Sequence, residues 1–134
     1  MVSGQWSEKQ GGVLPEAIKS YRDLKVWRRG IDLVKSVYAL IAKFPKYENY
    51  GLADQLRRSS ISIPSNIAEG AARQHTGEFK QFLHIALGSA AEVDTQIVIA
   101  SELGYITQQE AESITEAIVE IRKMTFALIS HLPN

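Results

Sequence analysis

Beyond Asp23 the apolar residues of this chain recur at spacings of three and four, and no useful length of it alternates apolar with polar. That period predicts helices and no strands. A first helix is expected after Asp23, a good N-cap, running to about Lys43, where Phe44-Pro45 ends it. A second is expected from about Asn49 to about Ala72, and a third from a capping Thr76 to Leu103, with Gly104 as a left-handed stop. Thr107 and Glu110 form a capping box that opens a fourth, reaching about Ser130. Short connections between four such helices predict an all-α, antiparallel up-down four-helix bundle over residues 21–134. Residues 1–20 read as a tail, because Gly4, Gly11, Gly12 and Pro15 break any period. Trp6, Val13, Leu14 and Ile18 in that tail are still able to dock on the bundle.

Two of the predicted helices carry more apolar surface than a lone bundle needs. Val26, Trp27, Ile31, Leu33, Val34, Val37, Tyr38, Leu40, Ile41 and Phe44 of the first helix cover an arc of roughly 200°, against about 100° or somewhat more for a helix facing one core. The third helix has one seam in Phe79, Phe82, Leu83, Ala86, Ala90, Val93, Ile97 and Ala100, and leaves Ile85, Val98 and Ile99 pointing elsewhere. Surplus of this kind predicts association with further copies, unless the N-terminal tail covers it. The run Ala86, Gly88, Ser89, Ala90, Ala91 predicts a tight helix crossing, with a ligand crevice as the alternative.

The second helix contains Pro64, in the stretch RRSSISIPSNIAEG from Arg57 to Gly70. Leu52 and Leu56 before it and Ile63 and Ile67 after it keep one helical spacing, so a single kinked helix is expected. Proline removes a backbone donor and crowds the carbonyl four residues back, at about 3 kcal/mol in a helix interior. Ser59, Ser60 and Ser62 are expected to soften that cost by bonding freed carbonyls, and Asn66 to bond one left unpaired or reach a neighbouring subunit. Glu69 is expected to pair with Arg73 one turn on.

Composition narrows the chemistry. The chain has 134 residues and no cysteine, which excludes disulfides, thiolate nucleophiles and cysteine metal sites. The opening MVSGQWSEKQGG lacks the pattern of a signal peptide, and no continuous apolar run reaches about 18 residues, so a soluble, cytoplasmic protein without membrane association is expected. His75, His84 and His131 stand apart, and neither a phosphate loop nor a nucleophile elbow occurs. Glu112, Glu116 and Glu120 step by four along the fourth helix as a solvated acidic stripe. The expectation is a protein without catalytic residues, cofactor or metal.

Net charge is zero, yet residues 1–80 hold 13 Lys/Arg against 8 Asp/Glu and residues 81–134 hold 2 against 7. Arg22, Lys25, Arg28, Arg29 and Lys35 gather at the first helix, with Arg57, Arg58, Arg73 and Lys80 on the next two elements. Such clusters neutralise phosphates, which makes these nine residues the candidate contacts to RNA or DNA. Pairing of basic with acidic helices, within or between subunits, accounts for the asymmetry equally well.

Several separate motifs share an order with a known family. They are Tyr21 to Trp27 (YRDLKVW), Phe44-Pro45, Tyr50-Gly51-Leu52, Gln55 to Ser59, Ser62 to Gly70 and Phe79 to Leu83, joined by Ala86, Gly88-Ser89, Glu92 and Gln96. In these the chain resembles the four-helix-bundle proteins encoded in intervening sequences of bacterial 23S rRNA genes. The resemblance covers about residues 21–130. It implies a protomer that assembles into a ring, most often a homopentamer with a central channel. A related branch, the accessory proteins of diversity-generating retroelements, implies nucleic-acid binding and association with a reverse transcriptase. That branch is markedly basic, whereas this chain is neutral overall. The resemblance carries no catalytic residues, and the matched Arg58, Ser59, Pro64, Asn66, Glu69 and Gly70 are expected to be structural. A nucleic-acid-associated accessory or scaffold protein is the first functional expectation, and a protein-interaction scaffold without nucleic acid is the alternative.

Overall fold

Helices joined by short turns and irregular loops, with no strand among the described residues, make up the computed structural model, which describes Leu14 and residues 19–134. The tail residues Gly4, Trp6, Gly11, Gly12, Val13, Pro15 and Ile18 lie outside the described residues, while Leu14 is half-buried against the core. Four helices follow one another: α1 (Lys25–Ile41), α2 (Leu52–Ala72), α3 (Thr76–Glu102) and α4 (Gln108–His131). Each packs on the next, and α1 closes the square on α4, while α1 with α3 and α2 with α4 form the two diagonals without packing. This is the four-helix bundle that the period predicts.

The core forms where the seams meet. Leu33 and Val37 from α1, Leu56, Ile63 and Ile67 from α2, Phe79, Leu83, Val93 and Ile97 from α3 and Ile118 and Ile121 from α4 are all buried. The spacing of three and four puts each set on one stripe, so one face of every helix is dry.

Helix starts differ from the sequence expectation at three of four places. Asp23 does not cap α1: its carboxylate turns back to accept from the backbone N–H groups of Lys19 (3.1 Å) and Ser20 (3.4 Å), closing a short 3-10 turn over Tyr21–Asp23. Leu24, buried in the core, holds the cap position of α1 and offers no side-chain bond. Asn49 lies before α2, after a second 3-10 turn at Lys46–Glu48. Thr76 is already helical, His75 takes the cap position in extended geometry, and the Thr76 hydroxyl is buried without a partner. The α4 expectation holds in full. Thr107 accepts from the Glu110 N–H at 3.1 Å, and Glu110 accepts from the Thr107 N–H at 2.9 Å. Gly104 has the left-handed φ of 81° expected of a helix stop.

α2 runs unbroken from Leu52 to Ala72 with Pro64 inside it. Proline has no N–H, so the carbonyl of Ser60 loses its helical donor. The serines do not replace it. Ser60 Oγ donates to the Arg57 carbonyl (3.2 Å) and Ser59 Oγ weakly to that of Leu56 (3.4 Å), both one turn upstream. Asn66 Nδ2 donates to the carbonyl of Ser62 (2.8 Å), a group Pro64 leaves untouched.

Close helix approach occurs at glycines other than Gly88. A Cβ on Gly30 would lie 3.2 Å from Pro64 Cβ, where α1 crosses α2. One on Gly70 would lie 2.6 Å from Phe82 Cβ and 3.0 Å from Phe79 Cδ1, where α2 turns into α3. A Cβ on Gly88 would meet nothing within 4 Å. Ala86, Ser89 and Ala90 do face the interior, but Gly88 and Ala91 are on the outside of α3.

Candidate interaction site

Four features of the surface bear on function: a polar seam between α2 and α3, a polar and aromatic cluster at one end of the bundle, the basic residues, and the exposed apolar faces. The seam follows from a stripe of Gln55, Ser59, Ser62 and Asn66 on α2, spaced so that all four share one flank. Ser89, Glu92 and Gln96 answer it from α3. Ser59 Oγ donates to Gln96 Oε1 at 2.7 Å, Gln96 Nε2 donates to Gln55 Oε1 at 3.4 Å, and the Ser62 and Ser89 hydroxyls lie 2.8 Å apart. Asn66 Nδ2 also reaches Ser62 Oγ at 2.8 Å. Ser59, Ser89 and Gln96 are buried, so these bonds replace water that the side chains have lost. Over them lies an open groove of about 390 Å³, rimmed by Arg58 and Glu92. Sequence reasoning assigned the serines to the proline and missed their pairing with α3. The i, i+4, i+7, i+11 spacing from Gln55 to Asn66 was the available signal.

At the end where α1 stops and α2 starts, Glu48 organises a second cluster. Its Oε1 accepts from the Leu52 N–H at 3.0 Å and its Oε2 from the Tyr105 hydroxyl at 2.8 Å. Gly51 precedes α2 with no side chain to cap it, so Glu48 supplies the missing acceptor and a negative charge at the positive helix end. The Leu52 N–H and then the Tyr105 hydroxyl hold the Glu48 carboxyl below its ordinary range. Tyr105 is pushed well up, first by its bond to the Tyr47 hydroxyl (3.2 Å) and then by Glu48. Nearby, the Lys43 ammonium and then the Thr107 N–H lower the Glu110 carboxyl.

The nine candidate nucleic-acid contacts fall into separate groups. Arg22, Lys25, Arg28 and Arg29 at the start of α1 share one end of the bundle with Arg73 and Lys80, at the turn from α2 to α3. The Tyr21–Asp23 turn packs on both α1 and α2, and Lys80 Nζ donates to Asn134 Oδ1 at 3.2 Å, which ties these elements together. Arg57 and Arg58, near the start of α2, belong to the opposite end, and Lys35 lies midway along α1.

Carboxylates already engage most of the arginines. Arg28 pairs with Asp32 (3.3 Å), Arg29 with Glu120 of α4 (2.9 Å), Arg58 with Asp54 (3.0 Å) and Arg73 with Glu69 (3.0 Å) as expected. Arg57 donates to the Asn49 carbonyl at 2.6 Å. Arg22 lies over the Trp27 ring at 6.0 Å and Arg73 over Phe82 at 5.2 Å. Glu120 of the acidic stripe is thus used, while Glu112 accepts from Gln108 Nε2 at 3.2 Å. Among the described residues no three His, Cys, Asp or Glu side chains stand close enough to hold a metal ion.

Large apolar side chains remain on the outside. Ile85, Val98 and Ile99 of α3 are 43–45% exposed, and Tyr38 of α1 is 42% exposed. Ile31 and Val34 are half-buried beside it. Val119 and Phe126 of α4 and Ile61 of α2, unremarked in the sequence, are exposed too.

Fold and surface define an all-α four-helix bundle with a polar seam between its second and third helices. The chain belongs to the 23S rRNA-intervening sequence protein family, whose model matches residues 22–127. Among solved structures it is similar to a protein of unknown function from the S23 ribosomal protein family of Bacteroides thetaiotaomicron. That protein is 27% identical with a TM-score of 0.72, over 78% of this chain and 97% of the other. Comparison with curated proteins gives no significant match.

Proposed function

We propose that this protein is a non-enzymatic building block that assembles with copies of itself into a ring and works there as a scaffold. The observation that carries the reading is the set of large apolar side chains left outside a bundle whose core is already complete, Ile85, Val98 and Ile99 above all. Leaving them in water forfeits stabilisation of about 25 cal/mol per Å² that a partner surface restores. The reading includes a bend in α2 at Pro64, where the Ser60 carbonyl lacks its donor and α1 approaches through Gly30.

A second reading, association with RNA or DNA, draws on the basic end formed by Arg22, Lys25, Arg28, Arg29, Arg73 and Lys80. It stands behind the first because Arg28, Arg29 and Arg73 already have carboxylate partners that a phosphate must displace. A protein partner such as a reverse transcriptase would dock on the assembled form. Light scattering of the purified chain, with anisotropy of a labelled RNA hairpin across a salt series, tests both. A mass of several chains is expected, and a single-chain mass at all concentrations removes the scaffold reading. RNA binding that falls steeply with salt and is lost in Arg28→Glu/Arg29→Glu supports the second reading. Binding that survives the variant overturns this basic end as the contact.

A further inference from the structure

We infer that the outer face of α1 on one copy docks on the outer face of α3 on the next, a head-to-tail contact between oppositely charged helices. The inference rests on the assembly reading above and names the surfaces that would make it. α1 carries Lys25, Arg28, Arg29 and Lys35 against Asp32, a balance of +3. α3 carries Lys80 against Glu78, Glu92, Asp94 and Glu102; Asp94 is half-buried and accepts from Thr115 of α4 at 3.0 Å, and the others leave a balance of −2. These helices occupy one diagonal of the bundle and do not pack on each other, so the two charges cannot meet within one chain. Of the α1 cations only Arg28 and Arg29 have acidic partners, and no basic group pairs with an α3 carboxylate among the described residues.

Both faces are apolar as well as charged. Tyr38 is exposed on α1, with Ile31 and Val34 half-buried beside it and Arg28 and Lys35 on the same turns. On α3 the exposed residues Ile85, Gly88, Glu92 and Ile99 recur at spacings of three, four and seven, which makes one continuous stripe. α3 contains an 18-residue stretch of enough mean hydropathy to pass for a membrane span, yet only 39% of that stretch is buried in the bundle. A helix apolar on all sides belongs inside a structure. Glu92 within the exposed stripe argues for a charged protein partner over lipid there, whereas Asp94 turns to α4 and accepts from the Thr115 hydroxyl at 3.0 Å.

Gly88 supplies an independent sign. Glycine weakens a helix interior, and among the described residues the close helix-to-helix approaches are made at Gly30 and Gly70 instead. Gly88 faces open space in the middle of the exposed stripe, where a missing side chain lets an incoming helix come near. Because the two faces differ and look away from each other across the diagonal, every copy offers one of each. Such a contact propagates and closes into a ring when the rotation between copies permits.

Two double variants test the assignment. Lys35→Asp/Tyr38→Asp spoils the α1 face, and Ile85→Asp/Ile99→Asp spoils the α3 face. All four positions are outside the buried core, so circular dichroism should show native helicity in both. Each variant alone is expected to run as a single chain by light scattering where the native protein is assembled, its self-association weakened by about 30-fold or more. Mixed one to one, they are expected to form a two-chain complex that stops there, since each retains the face the other lacks. Assembly of either variant at the native mass, or a mixture that stays single-chain, overturns the α1-to-α3 contact while leaving the scaffold reading intact. A native protein that is itself a single chain ends both.

Discussion

Gly70 and Gly88 are the same residue in the same kind of helix, and their surroundings give substitution opposite signs. A Cβ on Gly70 would fall 2.6 Å from the Cβ of Phe82, an atom fixed to the α3 backbone, so the α2–α3 crossing has to open. Gly70→Ala is expected to destabilise the fold by about 1–3 kcal/mol, the usual penalty for overfilling a packed contact. Gly88→Ala meets nothing and gains helix propensity, so it should stabilise the isolated chain by about 1 kcal/mol. Urea unfolding at a concentration where light scattering reports one chain measures both. Equal and small shifts would mean that α2 and α3 do not approach as closely as Gly70 requires. The spacing of the small residues in α3 was legible in the sequence, but which of them faced a neighbour was not. That depended on the turn of α3 about its axis relative to α2, which the pairing of Ser62 with Ser89 and Ser59 with Gln96 fixes. Pairing across 27 or 37 residues leaves no trace in local periodicity.

At the level of elements, the four helices were legible because each carries a stripe of period 3.6, and three of their four starts were not. Local capping rules located Thr107 with Glu110, where acceptor and donor are three residues apart. They failed for α2, whose first N–H, that of Leu52, is served by Glu48 from a separate 3-10 turn. This cap predicts an acid response. Glu48 and Glu110 both have folded pKa values below the ordinary 4.5, so each binds its proton less readily folded than unfolded. Their contribution to stability is therefore fully present above pH 4.5 and is lost as pH falls through the lower folded values. The thermal midpoint is expected to fall on acidification below pH 4.5. Glu48→Gln/Glu110→Gln should start lower at neutral pH and show a shallower fall over the same interval. An unchanged slope in the double variant would place the acid-sensitive groups elsewhere. Tyr105, raised by Tyr47 and Glu48, stays protonated at neutral pH and keeps donating to the cap.

For the molecule as a whole, the distribution of charge decides how an assembly should respond to salt. The sequence displays a basic first part and an acidic second part, yet not whether those charges cancel inside one chain. Arg29 with Glu120 and Lys43 with Glu110 join α1 and its C-terminal turn to α4, which cancels some of it. Glu78, Glu92 and Glu102 of α3 and Lys25 and Lys35 of α1 stay outside that exchange, on the diagonal that has no packing, while Asp94 is bound to Thr115 of α4. A contact between those faces combines screened and unscreened parts. The Debye length shrinks from about 10 Å at 0.1 M salt to about 3 Å at 1 M, which removes attraction between rim charges and leaves the apolar centre around Ile85, Ile99 and Tyr38 in place. Light scattering across that range is therefore expected to show partial dissociation of the native protein, with intact helicity and a remnant of assembly at the highest salt. Tyr38→Ala should lose the remnant as well, since it removes the exposed aromatic anchor from α1. An assembly indifferent to sodium chloride would rule out opposed charge as part of the contact. One abolished by salt in the native protein would assign the exposed isoleucines of α3 to another surface.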